Sequence, residues 1–262
     1  SLEDRFIGLM LSVSTALLDE ECATAEDINW ATKFGLGFSE GIFDIFNRLG
    51  FDRAKQLVQE FASSRNTAVP ESLNSFSSKT GFWPLSYVKT EIEEDTAWVT
   101  VCRPDTKNAL DETLTAQFDT VVKRLEKNEQ IRTVVFSGMG ETLLSGPPKQ
   151  FFLDKLAKND VAGIIALLNK IHVLFSRVAD SKKLTIARPR GLTSEAGYEF
   201  ALSCKYLIAY PRSTFVFLET GIGIHPAMGA TQRLPRKVGK SIGKYLIMTG
   251  DMLVAEAAER LG

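Results

Sequence analysis

Two glutamates lie in or beside apolar stretches of the sequence, where a charged side chain is unusual. Glu199 lies inside the stretch Gly197-Tyr-Glu-Phe-Ala-Leu-Ser-Cys204, and Glu219 follows the apolar run Phe215-Val-Phe-Leu218. A helix glutamate is most often a solvated surface charge, and a carboxylate at a strand end can cap the next turn. Two carboxylates that lie close together, however, perturb each other's pKa and can hold and exchange a proton. That arrangement performs general acid–base chemistry.

Composition gives little support to other kinds of site. The chain has 31 basic and 32 acidic side chains among its 262 residues, so its net charge of -1 predicts neither a nucleic-acid nor a membrane partner. We see no apolar run of the roughly 18 residues that a bilayer span needs, which favours a cytoplasmic protein. Three widely spaced cysteines predict reduced thiols and, together with two histidines, form no metal-ligand cluster: Cys22, Cys102, Cys204, His172 and His225.

The elements that must position the two glutamates lie in the second of two predicted domains. Residues 1–62 carry helical apolar spacing and capping signals, including a first helix with Phe6, Met10, Val13 and Leu17 on one face and a second that Thr24 begins. Residues 63–84 are rich in Ser, Asn, Thr, Pro and Gly, which predicts a linker.

Residues 85–262 show short β-branched runs that alternate with helices, a pattern typical of a parallel sheet. The predicted strands and helices of this domain are 97–102, 111–127, 131–137, a long buried helix 161–178, 205–210 and 214–218.

Two long motifs in this domain resemble a known family. The first, Ala97-Trp-Val-Thr-Val-Cys-Arg-Pro-Asp-Thr-Lys-Asn-Ala-Leu110, resembles the opening of the crotonase (enoyl-CoA hydratase/isomerase) superfamily, in which a strand runs into an R-P-x-x-x-N-A-L turn. The second, Glu219-Thr-Gly-Ile-Gly-Ile-His-Pro-Ala-Met-Gly-Ala-Thr-Gln-Arg-Leu234, resembles that family's acidic turn and the helix after it. The resemblance implies an α/β fold, the crotonase-like ββα spiral, with a small all-α N-terminal unit. Because the family continues into further helices, we expect the C-terminus here to be truncated.

The resemblance also implies an activity and its residues. Glu199 would activate the water that attacks the β-carbon of a 2-enoyl-CoA, and Glu219 would deliver a proton to the α-carbon. The backbone N–H groups of Ser145 and Ala196 would hold the enolate oxygen. Coenzyme A, which is part of the substrate, would lie along Lys107, Asn108, Ala109 and Leu110, although a solvated turn lysine and a turn-supporting asparagine fit the first two positions equally well.

The sequence departs from the family pattern around the enolate site. Ser145-Gly-Pro-Pro148 replaces the usual A-G-A-D, and Glu195-Ala196-Gly197 replaces a triple glycine. The prolines remove two N–H groups, and Glu195 adds a third negative charge near an anion site unless its side chain turns outward to solvent. Two alternatives therefore stay open: a crotonase-fold isomerase or other acyl-CoA enzyme, and a non-catalytic CoA-binding or assembly module.

The N-terminal helices resemble a different protein. Ala23-Thr-Ala-Glu-Asp-Ile28 and Lys33-Phe-Gly-Leu-Gly-Phe38 resemble the C-terminal helical domain of 3-hydroxyacyl-CoA dehydrogenases. The combination implies a bifunctional β-oxidation protein that is also an NAD-dependent dehydrogenase. NAD would bind to a missing N-terminal domain, because this sequence has no G-x-G-x-x-G strand-to-helix unit. The hydratase step implies no cofactor, an acyl-CoA small-molecule substrate and the family's homotrimer.

Overall fold

The described residues of this computed structural model are 1–75 and 82–262. They form two compact units, Ser1–Ser86 and Tyr87–Gly262. The predicted boundary between residues 84 and 85 lies two residues before the observed one. Residues 76–81 of the predicted linker lie outside the described part of the chain.

All secondary-structure elements among the described residues of the first unit are helices. Its helices are α1 (Leu2–Asp19), α2 (Ala25–Trp30), which continues as a π-helix (Ala31–Gly35), α3 (Ile42–Leu49), α4 (Phe51–Arg65) and α5 (Glu71–Ser75). Thr24 caps α2 as predicted, because its side-chain oxygen accepts the N–H of Asp27 at 3.2 Å. Leu11, Phe43, Phe46 and Leu57 are buried at its centre.

The predicted apolar face of α1 is wrong. Phe6 and Val13 are 49% and 47% exposed, and the buried face instead carries Gly8, Leu11, Ser12, Ser14 and Thr15. The reason is close packing against α4, since a Cβ on Gly8 would come within 2.6 Å of the Leu57 carbonyl oxygen. Small side chains let the two helices approach, and Thr15 satisfies its buried hydroxyl by bonding to the Leu11 carbonyl at 2.7 Å.

The predicted linker contains packed residues. Helix α5 falls within it and buries Leu73 completely, while the carboxylate of Asp19 accepts the N–H groups of Glu71 and Ser72. Trp83 is 8% exposed, and its ring lies 4.7 Å from that of Phe43. The polar composition of residues 63–84 did not predict these packed residues, because one buried apolar side chain is enough to anchor each short segment.

The second unit is built on two sheets. The larger has the order β1-β2-β3-β4-β6, in which β1 is antiparallel to β2 and the remaining neighbours are parallel; the smaller has the order β5-β7-β8. The strands are β1 (Val88–Glu93), β2 (Thr96–Val101), β3 (Thr133–Gly138), β4 (Leu184–Ala187), β5 (Leu192–Ser194), β6 (Tyr206–Leu207), β7 (Thr214–Val216) and β8 (Leu253–Val254). The last two predicted strands, 205–210 and 214–218, are therefore shorter than expected.

Helices cover these sheets. They are α6 (Glu112–Lys127), α7 (Lys149–Ala157), α8 (Val161–Ala179), α9 (Glu195–Ser203), α10 (Ala230–Val238), α11 (Lys240–Thr249) and α12 (Ala255–Arg260), with 3-10 turns at Pro104–Thr106 and Glu219–Ile222. Strand β2 alternates as its sequence predicts, with Ala97, Val99 and Val101 buried in the core.

Helix α8 is the one described helix that is long and apolar enough to cross a membrane by length and composition. This corrects the prediction that no stretch reaches that length. Its inner face is buried in the core of the second unit, with Leu167, Ile171, Leu174, Phe175 and Val178. Its outer face is not buried as predicted, since Val161, Ile165 and Val173 are each more than half exposed. An amphipathic burial pattern of this kind is that of a helix packed on a protein core.

Candidate active site

Helix α9 holds Glu199 at the centre of the second unit. Its residues from Ala196 to Ser203 are all buried. Phe200, next in sequence to Glu199, packs its ring 5.2 to 5.3 Å from the rings of Phe118, Phe136 and Phe175. Aromatic contacts of this geometry bury large areas and favour a single arrangement. The helix therefore cannot rotate to release Glu199, which is 1% exposed.

The Glu199 carboxylate is met by backbone donors at the start of α10. The N–H of Met228 lies 2.9 Å from both carboxylate oxygens, and the N–H of Ala230 donates to Oε1 at 2.9 Å. Burial raises the pKa of Glu199, while these N–H groups and the charge of Arg233 act in the opposite direction. A carboxylate has about four acceptor positions, so Oε2 keeps room for one further donor such as water.

Glu219 is the first residue of the 3-10 turn Glu219–Ile222, which follows β7. Phe217, two residues earlier, stacks its ring on that of Tyr198 of α9 at 4.6 Å. Glu219 is 9% exposed, and its Oε2 has no hydrogen-bond partner among the described residues. Burial raises the pKa of Glu219 to about 7, and the negative charges of Glu199 and Glu195 add to the increase. Both predicted carboxyls are therefore buried in the second unit, and the charge of Glu199 contributes to the raised pKa of Glu219.

The two predicted enolate donors differ in availability. Ala196 is the second residue of α9, where a backbone N–H has no acceptor within the helix. The N–H of Ser145, however, donates to the Asn108 carbonyl at 3.2 Å. Gly146 is the next residue of this loop, and a Cβ built on it would lie 3.7 Å from the Ala196 Cβ. The loop therefore does reach the start of α9, but the free donor there is not Ser145.

Of the four predicted CoA residues, only Lys107 exposes its side chain. Asn108 is fully buried: its Oδ1 accepts the Arg103 N–H at 2.7 Å, and its Nδ2 donates to the carbonyls of Met139 and Thr142. Leu110 is fully buried in the core and Ala109 is 5% exposed. The contact of these four residues with CoA stays a prediction, and Lys107 alone among them has an exposed side chain to offer.

Glu195 does not turn outward to solvent. It is half-buried, and its carboxylate Oε2 accepts the hydroxyl of Ser194 at 2.7 Å. Its backbone φ is +44°, a left-handed conformation that glycine adopts at little cost. A third carboxylate therefore belongs to the site.

Sequence reasoning missed the groups that position Glu199. Met228 and Ala230 contribute through backbone N–H groups, which leave no mark in side-chain type. Gly197 is also structural, because a Cβ there would overlap the Leu144 carbonyl oxygen. Its identity as glycine within a buried helix was the available signal.

Two buried carboxyls, one on a core helix and one just after a strand of the smaller sheet, are the arrangement expected of a crotonase-type enzyme. A family model for enoyl-CoA hydratase/isomerase matches residues 91–262, and one for the C-terminal domain of 3-hydroxyacyl-CoA dehydrogenase matches residues 3–79. The chain belongs to the enoyl-CoA hydratase/isomerase family, as its motifs predicted.

Individual relatives agree with this membership. The short-chain-enoyl-CoA hydratase of Clostridium acetobutylicum is 32% identical over 178 residues, which cover 68% of this chain and 67% of the relative. The crotonyl-CoA hydratase of Syntrophomonas wolfei is 30% identical over 172 residues, 66% of this chain and 65% of the relative. This chain thus spans about two thirds of the length of such relatives.

Solved structures confirm the predicted fold. The crystal structure of an enoyl-CoA hydratase from Bacillus halodurans superposes with a TM-score of 0.64 at 27% identity, over 68% of this chain and 71% of that one. An enoyl-CoA hydratase subunit from Geobacillus kaustophilus gives 0.59 at 30% identity, over 67% of this chain and 66% of that one. The α/β crotonase-like fold with an added helical unit is therefore established.

Proposed function

We propose that this chain hydrates trans-2-enoyl-CoA thioesters to 3-hydroxyacyl-CoA, with Glu199 and Glu219 as the acid–base pair. The observation that carries the proposal is that both carboxyls are buried in the second unit and that burial raises the pKa of each. A pKa near neutrality lets a carboxyl both hold and release a proton at working pH. The relatives named as enoyl-CoA and crotonyl-CoA hydratases support the same reaction.

The reaction divides between the two glutamates. The Glu199 carboxylate, whose Oε2 has an acceptor position left, takes a proton from water as its oxygen bonds to the β-carbon. The protonated Glu219 gives its proton to the α-carbon, so the thioester gains one water in all. Negative charge builds on the thioester oxygen between these events. The backbone N–H groups of Ala196, in the first turn of α9, and of Gly146, whose built Cβ would lie 3.7 Å from the Ala196 Cβ, are the proposed donors to it.

Single substitutions test this assignment. Glu199→Gln and Glu219→Gln keep the side-chain shape and remove the exchangeable proton, and Glu129→Gln alters an exposed carboxylate as the matched control. Hydration of crotonyl-CoA, followed by the loss of enoyl absorbance, should fall by at least roughly 100-fold in both site variants. Control activity should be unchanged. Indifference to one of the two site substitutions would favour the alternative enzyme class, an enoyl-CoA isomerase that moves the double bond with a single carboxyl.

One observation favours a second candidate, a non-catalytic CoA-binding or assembly module. The Ser145 N–H is already bonded to Asn108, and Pro147 and Pro148 have no N–H to offer. Calorimetric titration with acetoacetyl-CoA, run beside the hydration assay, separates the candidates. Binding without any turnover would support the module, and measurable turnover would eliminate it.

We also propose the second activity, the location and the assembly of the protein to which this chain belongs. The match of residues 3–79 supports a bifunctional protein that also acts as an NAD-dependent 3-hydroxyacyl-CoA dehydrogenase. The described residues of the helical unit contain no strand, so they do not fit NAD, which would bind elsewhere in such a protein. A cytoplasmic location, a homotrimeric assembly and an exposed Lys107 near the CoA phosphates complete the proposal.

A further inference from the structure

Glu195 keeps a strained backbone at the start of α9. Its φ of +44° lies in the left-handed region, which is unfavourable for a residue with a Cβ. A glycine would adopt this conformation without strain. Strained residues persist where the surrounding structure holds them and where the strain serves a function.

The topology directs Glu195 toward both catalytic candidates. Strands β5 and β7 are parallel neighbours with Ser194 opposite Val216, so the chain leaves both strands at the same edge of the sheet. Glu195 is the first residue after β5, and Glu219 is the third after Val216. Glu195 is also the first residue of α9, the helix that carries Glu199.

The Glu195 carboxylate is held in place and acts on Glu219. The Ser194 hydroxyl bonds to it at 2.7 Å, and its charge is one of those that raise the pKa of Glu219. Of the other groups around Glu219, Glu199 raises that pKa and the exposed His225 lowers it. Helix α11 packs against the 3-10 turn Glu219–Ile222, and its cations Lys240 and Lys244 are exposed. On α10, the charge of Arg233 lowers the pKa of Glu199.

We infer that Glu195 is a positioning residue for the acid–base pair: its carboxylate, held by Ser194 where β5 and β7 leave the same edge of the sheet, adds negative charge near Glu219 and favours the protonated form that donates to the α-carbon. The inference rests on the proposed function for its role in turnover. The retention of a proton on Glu219 can be measured without turnover. Loss of the Glu195 charge should let Glu219 ionise at lower pH, because like charges disfavour each other's ionised form.

Three variants test the inference. Glu195→Gln and Glu195→Gly both remove the charge, and the glycine variant also suits the backbone, so a folded protein is available if glutamine fails. Glu195→Asp keeps the charge, and Glu129→Gln is a control at an exposed carboxylate. Carbon-13 NMR of labelled glutamate carboxyls, with the Glu219 signal identified by its absence in Glu219→Gln, gives the titration of that one group. The pH profile of crotonyl-CoA hydration gives the kinetic counterpart.

In both uncharged variants the Glu219 titration should move to lower pH by roughly half a unit to one unit. The alkaline limb of the hydration profile should move with it, while Glu195→Asp and Glu129→Gln keep the wild-type values. An unmoved Glu219 titration in Glu195→Gly overturns the inference, whatever the activity. A moved titration in a chain that shows no hydration supports the electrostatic role and refutes only the proposed reaction.

Discussion

Replacement of Glu219 by glutamine should stabilise the second unit at alkaline pH. The folded-state pKa of Glu219 is raised from 4.5 to about 7, chiefly by burial. A carboxyl whose pKa is higher in the folded than in the unfolded chain stabilises the folded state. This stabilisation is fully present below the unfolded-state pKa and is lost as pH rises through the folded-state pKa. A shift of this size corresponds to about 3 kcal/mol. Glutamine cannot ionise, so its variant escapes the loss.

Urea unfolding at about pH 5 and about pH 8.5, with constant ionic strength, measures this difference. Because the chain has two units, hydrogen exchange of α9 peptides identifies the transition that belongs to the second unit. Relative to wild type, Glu219→Gln should gain about 2.5 kcal/mol more at the alkaline pH than at the acidic pH. Glu129→Gln should show no such dependence. Equal effects of Glu219→Gln at the two pH values would refute the reasoning, since the carboxyl would then ionise as freely in the folded as in the unfolded chain.

Three further substitutions test the packing around the site and in the helical unit, each by urea unfolding. Gly197→Ala should cost about 1–3 kcal/mol, because its Cβ would overlap the Leu144 carbonyl oxygen, and a neutral result would contradict that close approach. Asn108→Ala should cost about 2–4 kcal/mol through three lost buried hydrogen bonds, whereas a loss below about 1 kcal/mol would mean that water replaces them. Thr24→Ala should cost about 1 kcal/mol, confined to the transition of the first unit.

Local signals predicted the elements well. The Thr24 cap, the strand β2 and the bounds of α6 all appear within one residue of where the residue pattern placed them, since each depends on neighbours within a few positions. The face of α1 was mispredicted because helix packing there selects small residues over large apolar ones. Only the partner helix decides such a choice.

The sequence named the candidate side chains of the site but did not predict the hydrogen bonds that hold them. Motif spacing singled out Glu199 and Glu219, whose pairing as catalytic groups stays a prediction, and the structure adds that the N–H groups of Met228 and Ala230 hold the first of them. Asn108 looked equally suited to ligand and to turn, and only its contacts with residues more than thirty positions away assign it to the fold. Backbone donors and distant acceptors have no local sequence pattern.

The fully bonded Asn108 has a mechanical consequence. Its amide joins the turn at residues 103–108 to the 139–142 loop, and the bridge between Ala109 and Ser145 continues the same seam toward α9. Two segments that would otherwise fluctuate separately are thereby fastened into one rigid body. If a ligand binds at Lys107 as proposed, this rigid connection fixes the distance from Lys107 to the Gly146 and Ala196 amides. The length of the ligand then determines whether its reactive end reaches those amides.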